Sequence, residues 1–200
     1  MIGNERQILL SIDPGTKYLG FSVIAFSPDS DDIEYLQWGT LYGKGEGMQI
    51  AHSLVNSIDE IITDHAVTLL AIENYQFLPG KMKGMFVVPM LIGILKYHWY
   101  GRSGREAIML PSQSWKAFIT GKPGGNKADV FECIPRFLPD GMFDGILDIY
   151  KDTRGERTTD VGQQDCLDAL GIGLYVSSEF IRQNRQHIDA ILPKRTRRSK

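Results

Sequence analysis

Apolar runs separated by turn residues open the chain and predict a β-sheet that begins as a meander. Residues 8–12 have the length and β-branched content of a buried strand, and the Pro14-Gly15 turn leads into a second apolar run at residues 19–25. Residues 33–42 alternate between apolar and polar side chains, which is typical of a half-buried strand. The sequence therefore predicts three consecutive antiparallel strands.

The remainder of the chain carries alternating helix and strand patterns, which predict an α/β fold. Further elements are predicted in this order: a helix over 48–64, a strand over 67–72, a helix over 84–100, a strand over 107–110, a helix over 111–119 and a helix over 128–138. A last helix is expected from Asp165 to about Arg185, whereas residues 139–164 are interpreted as an insertion or loop. We expect one domain over residues 1–186 and a basic C-terminal tail over residues 187–200.

Length and composition predict a soluble intracellular protein. The 200 residues include 42% hydrophobic side chains, which is enough for a sizeable core. Cys133 and Cys166 form neither a disulfide framework nor a zinc motif and are interpreted as core thiols. The longest apolar stretch, residues 85–95, is too short to cross a bilayer, and no signal peptide is recognised. The expected location is the cytoplasm or nucleoid of a bacterial or phage-infected cell, or an organelle matrix.

Positive and negative charges are segregated along the chain, although the formal net charge is only −2. Residues 1–73 carry three Lys and Arg against eleven Asp and Glu, whereas residues 74–128 carry eight against one. Residues 129–178 are again acidic, and residues 179–200 carry seven basic groups against two acids. Clustered positive charge provides the sequence-independent part of nucleic-acid affinity, so both basic segments are candidates for contact with a polyanion. A solvated surface and a frayed tail also explain the pattern.

Four carboxylates occupy positions at which a charge is costly unless it is neutralised. Asp13 directly follows the first apolar strand, and Glu73 ends the apolar run at residues 67–72. Asp165 and Asp168 are three residues apart, so a helix places them on one face, one turn apart. An acid that only closes a turn, and acids that only complement the helix dipole, are the simpler alternatives. If the four converge, an acidic cluster of oxygen ligands suits Mg²⁺ or Mn²⁺.

Four short motifs follow one another along the chain. They are Asp13-Pro14-Gly15 with Gly20 in the next strand, Ile72-Glu73 at a strand end, the basic glycine-rich loop 121–127, and Asp165-Cys166-Leu167-Asp168-Ala169-Leu170. This ordered set resembles the RuvC family of Holliday-junction resolvases, within the RNase H-like nuclease superfamily. The family's aromatic wedge falls at the position of Gln76 here, so Tyr75 or Phe77 is expected to take that role.

The resemblance implies a fold, a reaction and a cofactor. The implied fold is an RNase H-like mixed sheet of five strands, three antiparallel and two parallel, flanked by helices. The implied reaction is the cleavage of four-way DNA junctions by a homodimer that makes paired nicks. Two Mg²⁺ ions per site, which Mn²⁺ can replace, are implied with Asp13, Glu73, Asp165 and Asp168 as ligands. Lys127 is the candidate contact to the scissile phosphate.

DNA and dimer contacts are expected mainly between residues 74 and 128. The side chains predicted to contact DNA are aromatic or basic: Tyr75, Phe77, Lys81, Lys83, Lys116, Lys122 and Lys127. The helix over 84–100 is apolar nearly all round, which favours an interface with a second copy of the chain. The predicted interface residues are Met85, Val88, Leu91, Ile92, Leu95 and Trp99.

Two other classes of protein remain compatible with parts of the pattern. The Asp13-Pro14-Gly15-Thr16 turn also resembles the phosphate-binding turn of actin-like sugar kinases and chaperone ATPases, although that phosphotransferase fold requires a second such domain. A non-catalytic protein that binds branched DNA would keep the basic segments without four convergent acids. Metal-ligand spacing is absent at the histidines, His52, His65, His98 and His187.

Overall fold

The computed structural model describes residues 5–75, 86–151 and 158–191 of the chain. Five strands form one sheet: β1 (Gln7–Pro14), β2 (Tyr18–Phe26), β3 (Ile33–Tyr42), β4 (Leu69–Glu73) and β5 (Ile108–Leu110). Their spatial order is β3-β2-β1-β4-β5. The first three strands pair antiparallel, whereas β4 runs parallel to β1 and β5 runs parallel to β4. The predicted mixed sheet of three antiparallel and two parallel strands is confirmed.

Helices cover both faces of this sheet. They are α1 (Met48–His65), α2 (Val87–Ser103), α3 (Ser112–Thr120), α4 (Lys127–Cys133), a short 3₁₀ turn (Ile134–Phe137), α5 (Met142–Lys151) and α6 (Thr158–Ile191). Ala66 follows the last residue of α1, and its φ of 51° lets the chain turn back so that the amide of Val67 donates to the carbonyl oxygen of Ile62. β4 can then run alongside β1 in the same direction.

Alternate residues of β1 face the two helical layers. Ile12 is fully buried in the core that the sheet forms with α1 and α2. Leu9 faces the opposite way, into the core formed with α3 to α6. Ser11 lies on the Leu9 side, where its hydroxyl donates to the carbonyl oxygen of Ala169 in α6 at 2.8 Å. The same alternation carries Asp13 to the α6 side of the sheet.

Glycines allow α6 to approach the sheet closely. A Cβ added at Gly173 would lie 2.7 Å from Cδ1 of Ile24, and a Cβ added at Gly20 would lie 1.9 Å from the carbonyl oxygen of Asp165. Both distances are shorter than packed carbon atoms tolerate. Gly20 therefore marks the point at which the backbone of β2 touches the backbone of α6.

The stretch 139–164 differs from the prediction that it is an insertion or loop. It contains α5, and α6 begins at Thr158, seven residues earlier than predicted. Ile146 of α5 is fully buried in the core shared with α6, which gives this helix a stabilising contact. α6 also continues to Ile191, into the predicted basic tail, whose residues 192–200 lie outside the described residues.

The residues predicted to form a dimer interface on α2 are wrong, because the face of the helix that they occupy packs against the same chain. Four of the six residues are buried against α1 and the sheet: Leu91, Ile92, Leu95 and Trp99. Val88 is half-buried against the same core, and Met85 lies outside the described residues. The large apolar side chains that remain exposed at this helix include Phe86, Met90, Tyr97 and Tyr100.

The cysteine and histidine side chains show structural roles. Cys166 is buried, and Cys133 is half-buried against the same core. Within the described ranges, histidine rings form hydrogen bonds with neighbouring side chains: His52 with Asn56, His65 with Gln37 and His98 with Asp59. No helix in the described ranges is long and apolar enough to cross a membrane.

Candidate active site

Asp13 and Glu73 are adjacent because two parallel strands end side by side. β1 and β4 pair in register as far as Ile12 and Ile72, so the next residue on each strand is a carboxylate. Neighbouring strands lie about 4.8 Å apart, and alternation places both side chains on the face covered by α6. The sheet therefore brings together two acids that are 60 positions apart in the sequence.

The second pair of acids reaches the same place through the contact between β2 and α6. Asp13 pairs with Gly20 in the antiparallel ladder, and Gly20 in turn touches the backbone of Asp165. Asp168 follows one helical turn later and is only 2% exposed. The next residue, Ala169, accepts the hydrogen bond from Ser11, which fixes this turn of α6 over β1. The expected convergence of all four carboxylates is thus what the backbone geometry produces.

Burial raises the pKa values of all four carboxyls, and repulsion by neighbouring acids raises those of Asp13, Glu73 and Asp165 further. The pKa of Asp13 is raised well above its usual value, first by burial and then by the charges of Asp168, Glu73 and Asp165. Burial is also the largest cause that raises the pKa of Glu73 and that of Asp168. Burial, with a contribution from Asp168, raises the pKa of Asp165 to about 6. A bound cation would relieve both the desolvation and the repulsion.

Lys127 provides positive charge on the exposed side of the cluster. Its ammonium lies 3.7 Å from Oδ2 of Asp168, and its side chain is 61% exposed. Lys127 is the first residue of α4, whose start is fixed by a capping box in which Asn126 and Asp129 each bond the backbone amide of the other. Because Lys127 also lowers the pKa of Asp165, it acts on both acids of α6.

Two further side chains bond to the carboxylates and were missed by sequence reasoning. The indole N–H of Trp115 donates to Oε2 of Glu73 at 3.0 Å. The side-chain amide of Gln164 donates to Oδ1 of Asp168 at 2.7 Å. Gln164 lies four residues before Asp168, so a helix predicted to begin earlier would have placed these two side chains on the same face. Nothing in the sequence pattern indicates the direction of the Trp115 ring.

The predicted DNA contacts are distributed unevenly around this site. Tyr75 and Lys116 line a pocket of about 260 Å³ together with Asp13 and Glu73. Lys122 instead forms an ion pair with Asp129 at 2.7 Å, which ties the glycine-rich loop to α4. Three other predicted contacts lie outside the described residues: Phe77, Lys81 and Lys83.

The donor set suits a hard divalent cation, since the four acids offer oxygen ligands and negative charge. In the described ranges, however, no three acidic, histidine or cysteine side chains are grouped closely enough to hold an ion as they are placed. The four acids lie close enough to influence each other's charges, but as they are placed they do not surround a common point at which an ion could be bound. The chemistry of the donor set, four carboxylates with raised pKa values, fits a divalent cation that neutralises them.

Comparison of sequences gives one family. A family model described as "Crossover junction endodeoxyribonuclease RuvC" matches residues 9–139, which is more than half of the chain. The match includes the segment with Asp13 and Glu73 and the loop that precedes α4, and it ends before α6. No curated protein matches the sequence significantly.

Comparison of structures gives the same fold. Thermus thermophilus RuvC in complex with Holliday junction substrate is similar with a TM-score of 0.60 at 14% identity, covering 86% of this chain and 97% of that chain. The yeast mitochondrial Holliday junction resolvase Ydc2 gives 0.57 at 14% identity, covering 93% and 85% respectively. The fowlpox virus Holliday junction resolvase gives 0.56 at 14% identity, covering 86% and 99%. The RNase H-like fold is therefore confirmed over most of each chain.

Proposed function

Because the chain belongs to the RuvC family of crossover junction endodeoxyribonucleases, we propose that it is a structure-selective endonuclease that resolves four-way DNA junctions. The observation that carries this proposal is the meeting of Asp13, Glu73, Asp165 and Asp168 from β1, β4 and α6. A site that only bound DNA would not need four carboxylates, since they repel the phosphate backbone. Their presence supports hydrolysis of a phosphodiester bond rather than binding alone.

The four acids are proposed to hold two Mg²⁺ ions, which Mn²⁺ can replace. When bound, such ions supply a lowered pKa for the attacking water and charge neutralisation at the phosphate. The protein contributes acids whose own ionisation is unfavourable, as the raised pKa values of Asp13 and Asp168 indicate. Cation binding is therefore coupled to loss of protons from these groups.

Lys127 and Lys116 are proposed to bind the DNA backbone at the site. The Lys127 ammonium is exposed and held near Asp168 by the start of α4, so it can reach a phosphate that approaches the acids. Lys116 lines the pocket beside Glu73 and lowers the pKa of that acid. Tyr75, in the same pocket, is the described candidate for stacking on an unpaired base at the junction.

Paired nicks require two active sites, and we propose that a homodimer provides them. The exposed face of α2 is the candidate interface, because it carries large exposed side chains at spacings of four, seven and three residues, which helical geometry places on one side: Phe86, Met90, Tyr97 and Tyr100. Tyr97 is 83% exposed, which is unusual for a side chain of its size on an otherwise packed helix. This face replaces the buried face that the sequence predicts. The proposed substrate implies a compartment that contains DNA.

The direct test is cleavage of a synthetic four-way junction in Mg²⁺ by the wild type and by Asp13→Asn, Glu73→Gln, Asp165→Asn and Asp168→Asn. Each variant should lose cleavage and still bind the junction in Ca²⁺, since an amide removes a ligand and also reduces repulsion of the DNA. A folded variant that cleaves at the wild-type rate would remove that residue from the site. Binding without cleavage by the wild type would favour the non-catalytic DNA-binding protein, and ATP hydrolysis without cleavage would favour the phosphotransferase.

A further inference from the structure

Trp115 is a buried residue whose polar atom is aimed at the candidate site. The side chain is 0% exposed, and its indole N–H donates to Oε2 of Glu73 at 3.0 Å. An indole N–H can only donate a hydrogen bond, so it cannot accept one from another group, and it does not gain or lose a proton. The bond therefore holds one oxygen of the carboxylate at a fixed place.

The ring of Trp115 has little freedom to move. It belongs to the core between the sheet and α6, and a Cβ added at Gly171 would lie 2.7 Å from its Cε3 atom. The Lys116 ammonium lies 5.0 Å from the ring centroid on the side of the pocket. Gly171 is three residues after Asp168, so the ring touches the helix that carries two of the acids and bonds the strand end that carries a third.

We propose that Trp115 is a positioning residue that orients Glu73 and sets its distance from the acids of α6. Its N–H bonds Oε2 of Glu73, so this acid would be held in one orientation when the site takes up a cation. A free glutamate would sample several rotamers, and fixing it beforehand reduces the entropy lost when a ligand binds. The proposal deepens the proposed function, since it concerns the cation site of the same nuclease.

The alternative is that Trp115 only fills the core. Trp99 provides a matched comparison, because it is equally buried at 1% exposure and its indole nitrogen has no hydrogen-bond partner in the described part of the chain. Replacement of either tryptophan by Phe removes similar volume and one N–H group. Only the change at Trp115 removes a donor to a carboxylate.

The first test follows the indole N–H resonances of the ¹⁵N-labelled protein without DNA. The chain has three tryptophans, so Trp38→Phe and Trp99→Phe assign two of the indole signals and leave the third to Trp115, which Trp115→Phe checks. Glu73→Ala should move the Trp115 proton upfield, as loss of a charged acceptor requires, and leave the Trp99 proton in place. Titration with MgCl₂ alone should shift the Trp115 signal and not that of Trp99. An unchanged Trp115 signal in Glu73→Ala would overturn the proposal, and this arm remains decisive if Trp115→Phe does not fold.

The second test measures the affinity for Mg²⁺ by calorimetry and the kinetics of junction cleavage. Trp115→Phe should bind Mg²⁺ about tenfold more weakly or worse, the range expected for losing a hydrogen bond to a charged group, and should lower kcat with the KM for DNA unchanged. Trp99→Phe should match the wild type in both. Equal Mg²⁺ affinity in the two variants would refute the positioning role. If the wild type cleaves no junction, the proposed function fails, while the resonance and Mg²⁺ measurements still decide the role of Trp115.

Discussion

Replacing Gly20 by Ala should separate α6 from the sheet at the point where the acids meet. The added Cβ would lie 1.9 Å from the carbonyl oxygen of Asp165, and Cβ atoms are essentially never found closer than 3.0 Å to another atom. The opposing group is backbone, so rotation of a side chain cannot relieve the contact. The strand and the helix must move apart by about 1 Å, and the turn that holds Asp165 and Asp168 moves with the helix.

Both activity and stability should fall in Gly20→Ala. A displacement of about 1 Å at a catalytic group costs about 100-fold in rate, and overpacking of this kind costs about 1–3 kcal/mol in unfolding free energy. For a chain of this size, that loss lowers Tm by roughly 2–12 °C. Single-turnover cleavage of a four-way junction in Mg²⁺ and thermal unfolding measure the two effects.

Gly39→Ala is the matched control, because Gly39 lies one strand away and its added Cβ would lie 3.3 Å from the Phe21 ring rather than against backbone. A ring can yield by a few tenths of an ångström, so we expect less than about 1 kcal/mol of destabilisation and near-normal cleavage. If Gly20→Ala cleaved and melted like Gly39→Ala, the close approach of β2 and α6 would not be what positions the acids.

Three further predictions concern charge and assembly. Without divalent ions, Asp165→Asn should raise Tm at pH 7.5 but not at pH 3.5. The pKa of Asp165 is raised to about 6 in the folded state, against 3.8 in the unfolded chain. The protonated carboxyl therefore contributes its full stability below pH 3.8, and that contribution is lost as the pH rises through 6. A difference in Tm that is equal at both pH values in calorimetry would contradict this. Lys127→Ala should slow single-turnover cleavage by about 10- to 100-fold. A gel shift in Ca²⁺ should show little loss of junction binding, since only one phosphate contact is removed. An unchanged cleavage rate would exclude Lys127 from the site. Light scattering should show that Tyr97→Glu converts the dimer into a monomer, whereas Lys96→Gln on the same helix should leave it a dimer. A wild-type protein that is monomeric at micromolar concentration would refute the proposed interface.

Residues at the ends of strands were predictable from the sequence for a physical reason. Asp13 and Glu73 each follow an apolar run, and the strict alternation of a strand decides which face such a residue occupies. Asp165 and Asp168 were predictable as a pair, because helical spacing alone places them on one face. Two parallel strands must be joined by a long crossover, and the helix α1 that forms this connection between β1 and β4 is also predicted by the sequence.

Other features depend on contacts that no local pattern contains. Leu91 and Trp99 have the same spacing whether they face a partner or the core, so periodicity could not distinguish the two. α5 is different, because its apolar residues do recur at helical spacing and Asp144 and Asp148 lie on the other face; the interpretation of the segment as an insertion rests on its acidic and polar composition. The hydrogen bond of Trp115 joins residues 42 positions apart and depends on the direction of a ring.

The placement of the acids on the first strand and on the last helix has a consequence for biosynthesis. Asp13 leaves the ribosome 155 residues before Asp168, and at about 5–20 residues per second that interval lasts roughly 8–30 seconds. During this time, the growing chain can form the meander of β1 to β3 but holds only one or two of the four carboxylates. A message cut short before codon 165 would yield a protein with the sheet and without the second pair of acids. The set of four carboxylates is therefore complete only after residue 168 has been added, when all five strands of the sheet have already been synthesised.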